Sequence, residues 1–223
     1  MTNISTQNPW HGLPVEPFYV LPKDKLCIDS HRHGEELRLD ALPDPFVGGL
    51  DSAEVVFLAM NPGFEEADIT VSLKMPAFLE ANYNNRNDPY TSPFYYFSGG
   101  FEMTGGYVWW TKKLKTLLQA GVTEASLRDK IMLIEYLPYH SINAKKIKNL
   151  KVPSQLFSFD LVREAMNANK TIVIMRSREF WFKSVRGLEG YQNLMIIKNP
   201  RNPAISPKNL GDENFSTILE KLS

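Results

Sequence analysis

The sequence has a single cysteine, no net charge and no long apolar run, and each shortage excludes a class of protein. Cys27 is the only cysteine, which rules out a disulfide framework and a cysteine-ligated cluster. Lys and Arg together number 25 and Asp and Glu together number 25, so any contact with nucleic acid needs a local basic patch. No apolar stretch is long enough to span a bilayer, and no signal-peptide pattern is present. We therefore expect a cytoplasmic protein that does not bind membranes.

The amino-terminal segment differs in composition from the rest and is predicted to be an arm. Residues 1–50 contain many prolines, which interrupt helices, and several large apolar side chains that can anchor the segment. We expect this arm to pack, with little regular structure, on one α/β domain formed by residues 51–223. Cys27, His31 and His33 are potential metal ligands, but no partner cluster with zinc spacing follows them. A polar surface turn is preferred, and we predict no metal or cofactor.

Four short apolar runs, rich in β-branched residues, predict strands that are buried on both faces of a sheet. Segments with helical spacing separate the runs, which is typical of parallel strands joined by crossover helices. The predicted strands are Val55–Ala59, Ile131–Ile134, Thr171–Met175 and Leu194–Ile197. The predicted helices are residues 106–120, 158–169 and 212–222. Residues 64–105 are predicted to form a long loop, in which a short helix around Ala77–Ala81 is the one regular element considered. The predicted fold class is α/β, with three α/β/α layers and a mainly parallel, roughly four-stranded central sheet.

Three of these strands end in turns that are rich in polar residues and proline. Asn61-Pro62-Gly63 follows the first strand, Glu135–Pro138 the second, and Asn199–Pro203 the fourth. Open α/β sheets usually bind ligands at the carboxyl ends of their strands, so Asn61, Glu135 and Asn199 are expected to line one pocket. Each turn also suits an ordinary strand ending.

Taken in order, the turns resemble the motifs of the uracil-DNA glycosylase superfamily, above all its mismatch-specific and single-strand-selective branches. Ala59–Gly63 resembles the first motif, a Gly-x-Asn-Pro-Gly turn. The run from Tyr107 to Gly121 resembles the Phe-Trp helix that follows this motif in the mismatch-specific branch. Asn199–Ser206 resembles the closing motif, a His-Pro-Ser or Asn-Pro-Ser turn. The resemblance implies an enzyme that flips a base out of DNA and hydrolyses its N-glycosidic bond.

The resemblance also implies a role for each motif. The asparagine of the first motif positions the attacking water, an aromatic residue of the following loop stacks on the base, and the closing motif holds the leaving base and inserts into the duplex. The residues so implied are Asn61 and Asn199 in catalysis, Met60, Pro62, Gly63, Phe94, Tyr95, Phe97 and Glu135 in base binding, and Pro200, Arg201 and Asn202 in DNA contact. The implied partner is single- or double-stranded DNA with a damaged or mismatched base.

Glu135 departs from the family pattern, because it stands where the family has an asparagine that reads the base. An amide accepts a hydrogen bond from uracil N3–H and donates one to O4, whereas an ionised carboxylate only accepts. An ionised Glu135 would repel uracil and suit a base edge with two donors, and protonation of Glu135 by burial is the alternative. We expect an altered base preference, with weak release of uracil that improves on Glu135→Asn. The closing turn also departs, with Asn199 in place of histidine and Arg201 in place of serine.

The densest group of basic residues lies in the loop after the second strand. Lys145, Lys146 and Lys148 are predicted to contact DNA phosphates, although a solvated loop accounts for them as well. The leading interpretation of the chain is a DNA glycosylase, and the alternative is a catalytically silent protein of the same fold that binds nucleic acid or a nucleotide. An unrelated doubly wound hydrolase is disfavoured, because the sequence has neither a Walker-type phosphate loop nor a Gly-x-Ser-x-Gly elbow.

Overall fold

A computed structural model describes residues 7–223, which form an α/β fold with one mixed sheet of five strands. The strands are β1 (Phe46–Val47), β2 (Val55–Ala59), β3 (Ile131–Glu135), β4 (Thr171–Ile174) and β5 (Leu194–Ile196). Their order is β1-β3-β2-β4-β5, with β2 to β5 parallel and β1 antiparallel to β3. The four predicted runs are confirmed as parallel neighbours, and the sheet is mixed because the arm adds the unpredicted β1.

Helices connect and cover the strands. Across the described range the α-helices are α1 (Pro22–Asp29), α2 (Ala67–Thr70), α3 (Pro76–Asn87), α4 (Gly105–Lys113), α5 (Lys115–Gln119), α6 (Glu124–Lys130), α7 (Ala144–Ile147), α8 (Gln155–Asn167), α9 (Arg178–Ser184), α10 (Pro207–Leu210) and α11 (Asp212–Leu222). Short 3₁₀ turns lie at Pro9–Gly12, Gly34–Glu36, Ser72–Lys74, Tyr95–Phe97 and Leu188–Gly190. None of the helices in residues 7–223 is both long and apolar enough to cross a membrane.

Both faces of the sheet are buried, because alternate residues of a strand point to opposite faces. Val56 and Leu58 of β2 belong to one core cluster, together with residues of α8 and α9. Val55 and Phe57 belong to a second cluster, together with residues of α4, α6 and α11. Burial on both faces is the reason that these strands are continuous apolar runs rather than alternating ones.

The segment predicted as a long loop contains more helix than the short one considered around Ala77–Ala81. Residues 64–105 contain α2 and the 12-residue α3, whose first residue is Pro76. Proline suits the first position of a helix, where its missing N–H is not needed. Asn82 made this segment resemble a turn, but its side chain lies buried on α3 and donates to Asp44 Oδ1 at 2.8 Å. The helix predicted over 106–120 is in turn divided into α4 and α5 at Leu114.

The arm is more ordered than its proline content predicted. Trp10 and Phe46 lie in the same core cluster as Val56. Asp24, on α1, is fully buried, and its carboxylate accepts hydrogen bonds from the Tyr139 hydroxyl at 2.7 Å and from the Ser154 backbone N–H at 3.0 Å. Because a buried carboxylate needs such donors, these bonds fix α1 on the segments that follow β3 and precede α8.

Candidate functional site

A cavity of about 190 Å³ opens at the carboxyl ends of β2, β3 and β4. Each strand contributes one polar side chain at or just beyond its end, namely Asn61, Glu135 and Arg176. The arm contributes Asp44, and the first turn of α4 forms part of the wall. This volume is below the roughly 300–1,000 Å³ of sites for drug-sized ligands, so the cavity suits a small group.

The nitrogen of the Asn61 amide is held in place, which leaves its oxygen unengaged. Nδ2 donates to the Pro62 carbonyl at 2.7 Å, to Ser141 Oγ at 2.8 Å and to the Tyr139 carbonyl at 3.3 Å. These acceptors fix which end of the amide carries the hydrogens. Within the described residues no hydrogen bond reaches Oδ1, so Asn61 has a free acceptor in the wall of the cavity.

Glu135 is a buried carboxylic acid that lacks a partner for one oxygen. The residue is 4% exposed, and its Oε2 has no hydrogen-bond partner within residues 7–223. Burial raises the pKa of Glu135 to about 8, although the positive charge of Arg176 acts in the opposite direction. The side chain is therefore mostly protonated at pH 7, and a neutral carboxyl group both donates and accepts. The prediction that Glu135 is ionised is wrong, and protonation by burial replaces it.

The cavity wall also contains a buried ion pair between the arm and the turn after β3. His140 Nε2 lies 3.4 Å from Asp44 Oδ2, and His140 Nδ1 donates to the Gly63 carbonyl at 2.6 Å. Burial alone would lower the pKa of His140, but Asp44 and Asp68 reverse this and raise it to about 9. Burial likewise opposes ionisation of Asp44, yet the hydrogen bond and charge of His140 hold the pKa of Asp44 below its ordinary value. The imidazolium thus links the arm to the Asn61 turn.

Asp44 is also the acceptor for two tyrosines of the aromatic loop. The hydroxyls of Tyr95 and Tyr96 donate to its two oxygens, each at 2.7 Å. Tyr96 lines the cavity and packs closely on the backbone of Gly106, where an added Cβ would lie 2.0 Å from the ring. Glycine at position 106 is therefore required by this close approach. One carboxylate of the arm thus holds both the imidazolium and the aromatic wall.

The aromatic residues predicted to stack on a base do not line the cavity. Phe94, Tyr95 and Phe97 are buried in the core cluster that contains α4. The aromatic side chains that line the cavity, as far as the chain is described, are Phe64, Tyr96, Trp109 and Trp110. The Arg38 guanidinium lies 3.8 Å from the centre of the Phe64 ring, so one face of that ring is occupied. Trp109 is half-buried, and Lys113 Nζ lies 5.4 Å from the centre of its ring.

The first turn contributes two of its predicted residues to the cavity. Pro62 and Gly63 line it, whereas Met60 is buried in the core cluster with α8 and α9. Gly63 does not have a positive φ, and a Cβ at this position would meet nothing within 4 Å. The turn itself therefore does not require glycine, whose effect is to leave this side of the cavity open.

The closing turn lies outside the cavity except for its last proline. Residues 199–202 are exposed beyond the end of β5, and Pro203 lines the cavity. β5 is an edge strand, separated from β2 by β4, so its end lies beside the end of β4 and away from the ends of β2 and β3. The expected grouping of Asn199 with Asn61 and Glu135 is therefore wrong for Asn199.

The predicted basic loop and the candidate metal ligands also lie away from the cavity. Lys145, Lys146 and Lys148 are exposed on and beside α7, and Lys146 pairs with Glu36 of the arm. His31 Nδ1 accepts a hydrogen bond from the backbone N–H of His33, and Cys27 is a free thiol. In the described part of the chain, no group of three or more His, Cys, Asp and Glu side chains is arranged to hold a metal ion.

Five ionisable residues of the site were not predicted: Asp44, Glu65, Asp68, His140 and Arg176. Arg176 follows β4 directly, so the rule that singled out the other strand-end residues would also have found it. His140 ends the turn that begins at the carboxyl end of β3. Its position near a strand end is the same signal, but a weaker one, because it lies five positions after Glu135. Asp44 has no such signal, because it reaches the site only through the packing of the arm.

The cavity thus combines a neutral carboxylic acid, an amide oxygen and a guanidinium with aromatic walls. Such a set can hold a planar ring with neighbouring donor and acceptor atoms, and it can orient a water molecule. Comparison of the chain with models of protein families, with curated proteins and with solved structures gives no match.

Proposed function

We propose that this protein is a DNA glycosylase of the uracil-DNA glycosylase type, with a three-layer α/β/α fold, that hydrolyses the N-glycosidic bond of a flipped-out base. The observation that carries the proposal is the presence of Asn61 and Glu135 in one cavity at the carboxyl ends of adjacent strands. In the family that the sequence resembles, these two places hold the residue that positions water and the residue that reads the base. The aromatic walls of the cavity suit a single planar base.

A protonated Glu135 supports recognition of a base edge that has an N–H group beside a carbonyl. Its carbonyl oxygen can accept from N3–H of a uracil ring while its hydroxyl donates to O4, which is the pattern that an amide provides. Hypoxanthine has the same arrangement at N1–H and O6. The unpartnered, buried Oε2 supports this role, because a bound base would supply the hydrogen bond that the chain itself lacks.

The proposed reaction breaks the bond between the sugar C1′ and the base nitrogen, and the base leaves with the bonding electron pair. Water then adds to the oxocarbenium-like sugar and releases one proton, which the departing base takes up. Asn61 Oδ1 accepts a hydrogen bond from this water and orients it, although an amide is too weak a base to deprotonate water fully. The Arg176 guanidinium lines the same cavity and favours negative charge on the leaving base.

The experiment that tests the proposal measures base release from oligonucleotides at pH 7. Single strands carry uracil, hypoxanthine or xanthine, and a duplex carries a thymine mismatch. We expect release of uracil or hypoxanthine, and a loss of about 100-fold in kcat for Asn61→Ala. Asn193→Ala, which changes an asparagine at the opposite end of the sheet, is the matched control and should retain wild-type activity. Absence of base release from all four substrates refutes the proposed reaction.

The pH profile of the same assay tests the role of Glu135. Wild-type activity should fall as the pH rises through about 8, because the carboxyl group then loses the proton that it donates to the base. Glu135→Gln carries a permanent donor beside its acceptor, so the activity of this variant should not fall over that range. A wild-type profile that stays level up to pH 9 contradicts base reading by the neutral acid.

Binding of a base-bearing strand without catalysis is a second candidate function, and one observation favours it. The closing turn at residues 199–202 lies outside the cavity, so its side chains are not in position to hold a leaving base. Tight binding of a uracil-bearing oligonucleotide that depends on Glu135, together with absence of base release, would support this alternative.

A further inference from the structure

A second depression, of about 360 Å³, lies beside the cavity at the carboxyl ends of β4 and β5. Met175 and Arg176 line both depressions, so the two are contiguous. Two further cations, Arg178 and Lys198, line the second depression, with Glu179 as its one carboxylate. We call this depression the basic groove and define it by Arg176, Arg178 and Lys198.

The cations of the basic groove lack ion-pair partners within residues 7–223. No carboxylate lies within 4.0 Å of Arg176, Arg178 or Lys198. Arg178 and Lys198 are exposed, whereas Arg176 is half-buried and its Nε is buried without a hydrogen-bond acceptor. A buried guanidinium nitrogen without an acceptor is costly and indicates that a ligand supplies one. Because the whole chain has a net charge of zero, the positive excess here is local.

We propose that the basic groove binds the phosphate group attached to the nucleoside whose base occupies the cavity. This inference rests on the proposed function only in assuming that a base enters the cavity. Arg176 lies on the boundary of the two depressions, and a guanidinium can hold two phosphate oxygens at once. The ligand chemistry is a phosphate ester, supplied by a DNA strand or by a mononucleotide. The strand then follows the ends of β4 and β5 rather than the loop that carries Lys145 and Lys148.

The experiment measures binding of a labelled single strand that carries an abasic analogue, so neither base reading nor excision enters the measurement. The test variant is the double substitution Arg178→Ala with Lys198→Ala, which removes two exposed cations and leaves Arg176 unchanged. The matched control is Arg32→Ala with Lys23→Ala, one exposed Arg and one exposed Lys of the arm. We expect the test variant to bind about tenfold more weakly at low salt and to reduce the salt slope by about 1.4, and the control to match wild type.

The outcomes of this experiment overturn or support the groove independently of catalysis. Equal weakening in the control, or weakening only in a Lys145→Ala, Lys148→Ala variant, overturns it. If binding depends on the groove but no base is released, the groove is supported and the proposed reaction fails. If base is released and the test variant binds and acts like wild type, the proposed reaction is supported and the groove is overturned. If the strand itself does not bind, deoxyuridine monophosphate and deoxyuridine are compared. Binding of the monophosphate alone, lost on substitution of Arg178 and Lys198, identifies a mononucleotide as the source of the phosphate ester.

Discussion

Replacing Glu135 with glutamine should stabilise the protein by an amount that grows with pH. The carboxyl group has an ordinary pKa of 4.5, and burial raises it to about 8 in the folded protein. Between these values the folded chain keeps a proton that the unfolded chain has released, so folding becomes less favourable as the pH rises. Each pKa unit corresponds to about 1.36 kcal/mol, so the cost is about 3 kcal/mol at pH 7 and about 5 kcal/mol above pH 8. Below pH 4.5 this cost is absent, because Glu135 is protonated in both the folded and the unfolded chain.

The assay is urea denaturation of wild type and Glu135→Gln at pH 5, 7 and 8.5. Glutamine is similar in shape and cannot ionise, so the difference in the free energy of unfolding isolates the ionisation of Glu135. The difference is needed because His140, with its pKa raised from 6.5 to about 9, contributes stability that is also lost as the pH rises towards 9. Glu189→Gln, at an exposed position, is the control and should leave stability unchanged at each pH.

The reasoning is refuted by a Glu135→Gln variant that is no more stable than wild type at pH 8.5. It is equally refuted by a stabilisation that is the same at all three pH values, because a constant difference reports packing rather than ionisation. A stabilisation near 3 kcal/mol at pH 7 is a large share of the roughly 5–15 kcal/mol by which proteins of this kind are stable.

Other substitutions test the network around the cavity. Asp44→Asn should cost up to about 3–5 kcal/mol in urea denaturation at pH 7, because the buried His140 imidazolium then keeps only the Asp68 carboxylate, 3.6 Å from its Nδ1, as a counter-charge; a loss below about 1 kcal/mol contradicts the ion pair. Gly106→Ala should cost about 1–3 kcal/mol, because its Cβ displaces the Tyr96 ring, and thermal unfolding that matches wild type contradicts this packing. Asp24→Ala should cost at least about 2 kcal/mol and expose α1 to limited proteolysis, whereas protease resistance equal to wild type contradicts its anchoring role.

The centres of the four parallel strands could be predicted because both faces of each are apolar, and this leaves a continuous signal in the sequence. Position along a strand also indicated Asn61 and Glu135, since carboxyl ends converge in such sheets. The same rule wrongly placed Asn199 in the cavity, because the sequence does not reveal that β5 is an edge strand. Strand order is a property of the tertiary fold and is not visible in the sequence. The rule therefore places a strand-end residue in the site correctly only when its strand lies in the centre of the sheet.

Polar residues with distant partners were the main source of error. Asn82 resembles a turn residue in isolation, but its donor group meets Asp44 across 38 positions of sequence. Asp44 itself lies between two prolines, a context that indicates loop and reveals nothing of its contact with His140. The charge state of Glu135 was also beyond the sequence, because burial in the folded chain sets it.

The anchoring of α1 by Asp24 has a consequence for synthesis of the chain. The arm leaves the ribosome before the segments that it contacts, and Ser154, which donates to the Asp24 carboxylate, follows Asp24 by 130 residues. At about 5–20 residues per second, this separation amounts to roughly 7–26 s during which Asp24 lacks this donor. Asp44 must likewise await His140, so the wall of the cavity cannot be complete until His140 has been made. Asp24 and Asp44 of the arm therefore reach these native contacts only after the segments that follow β3 have been made.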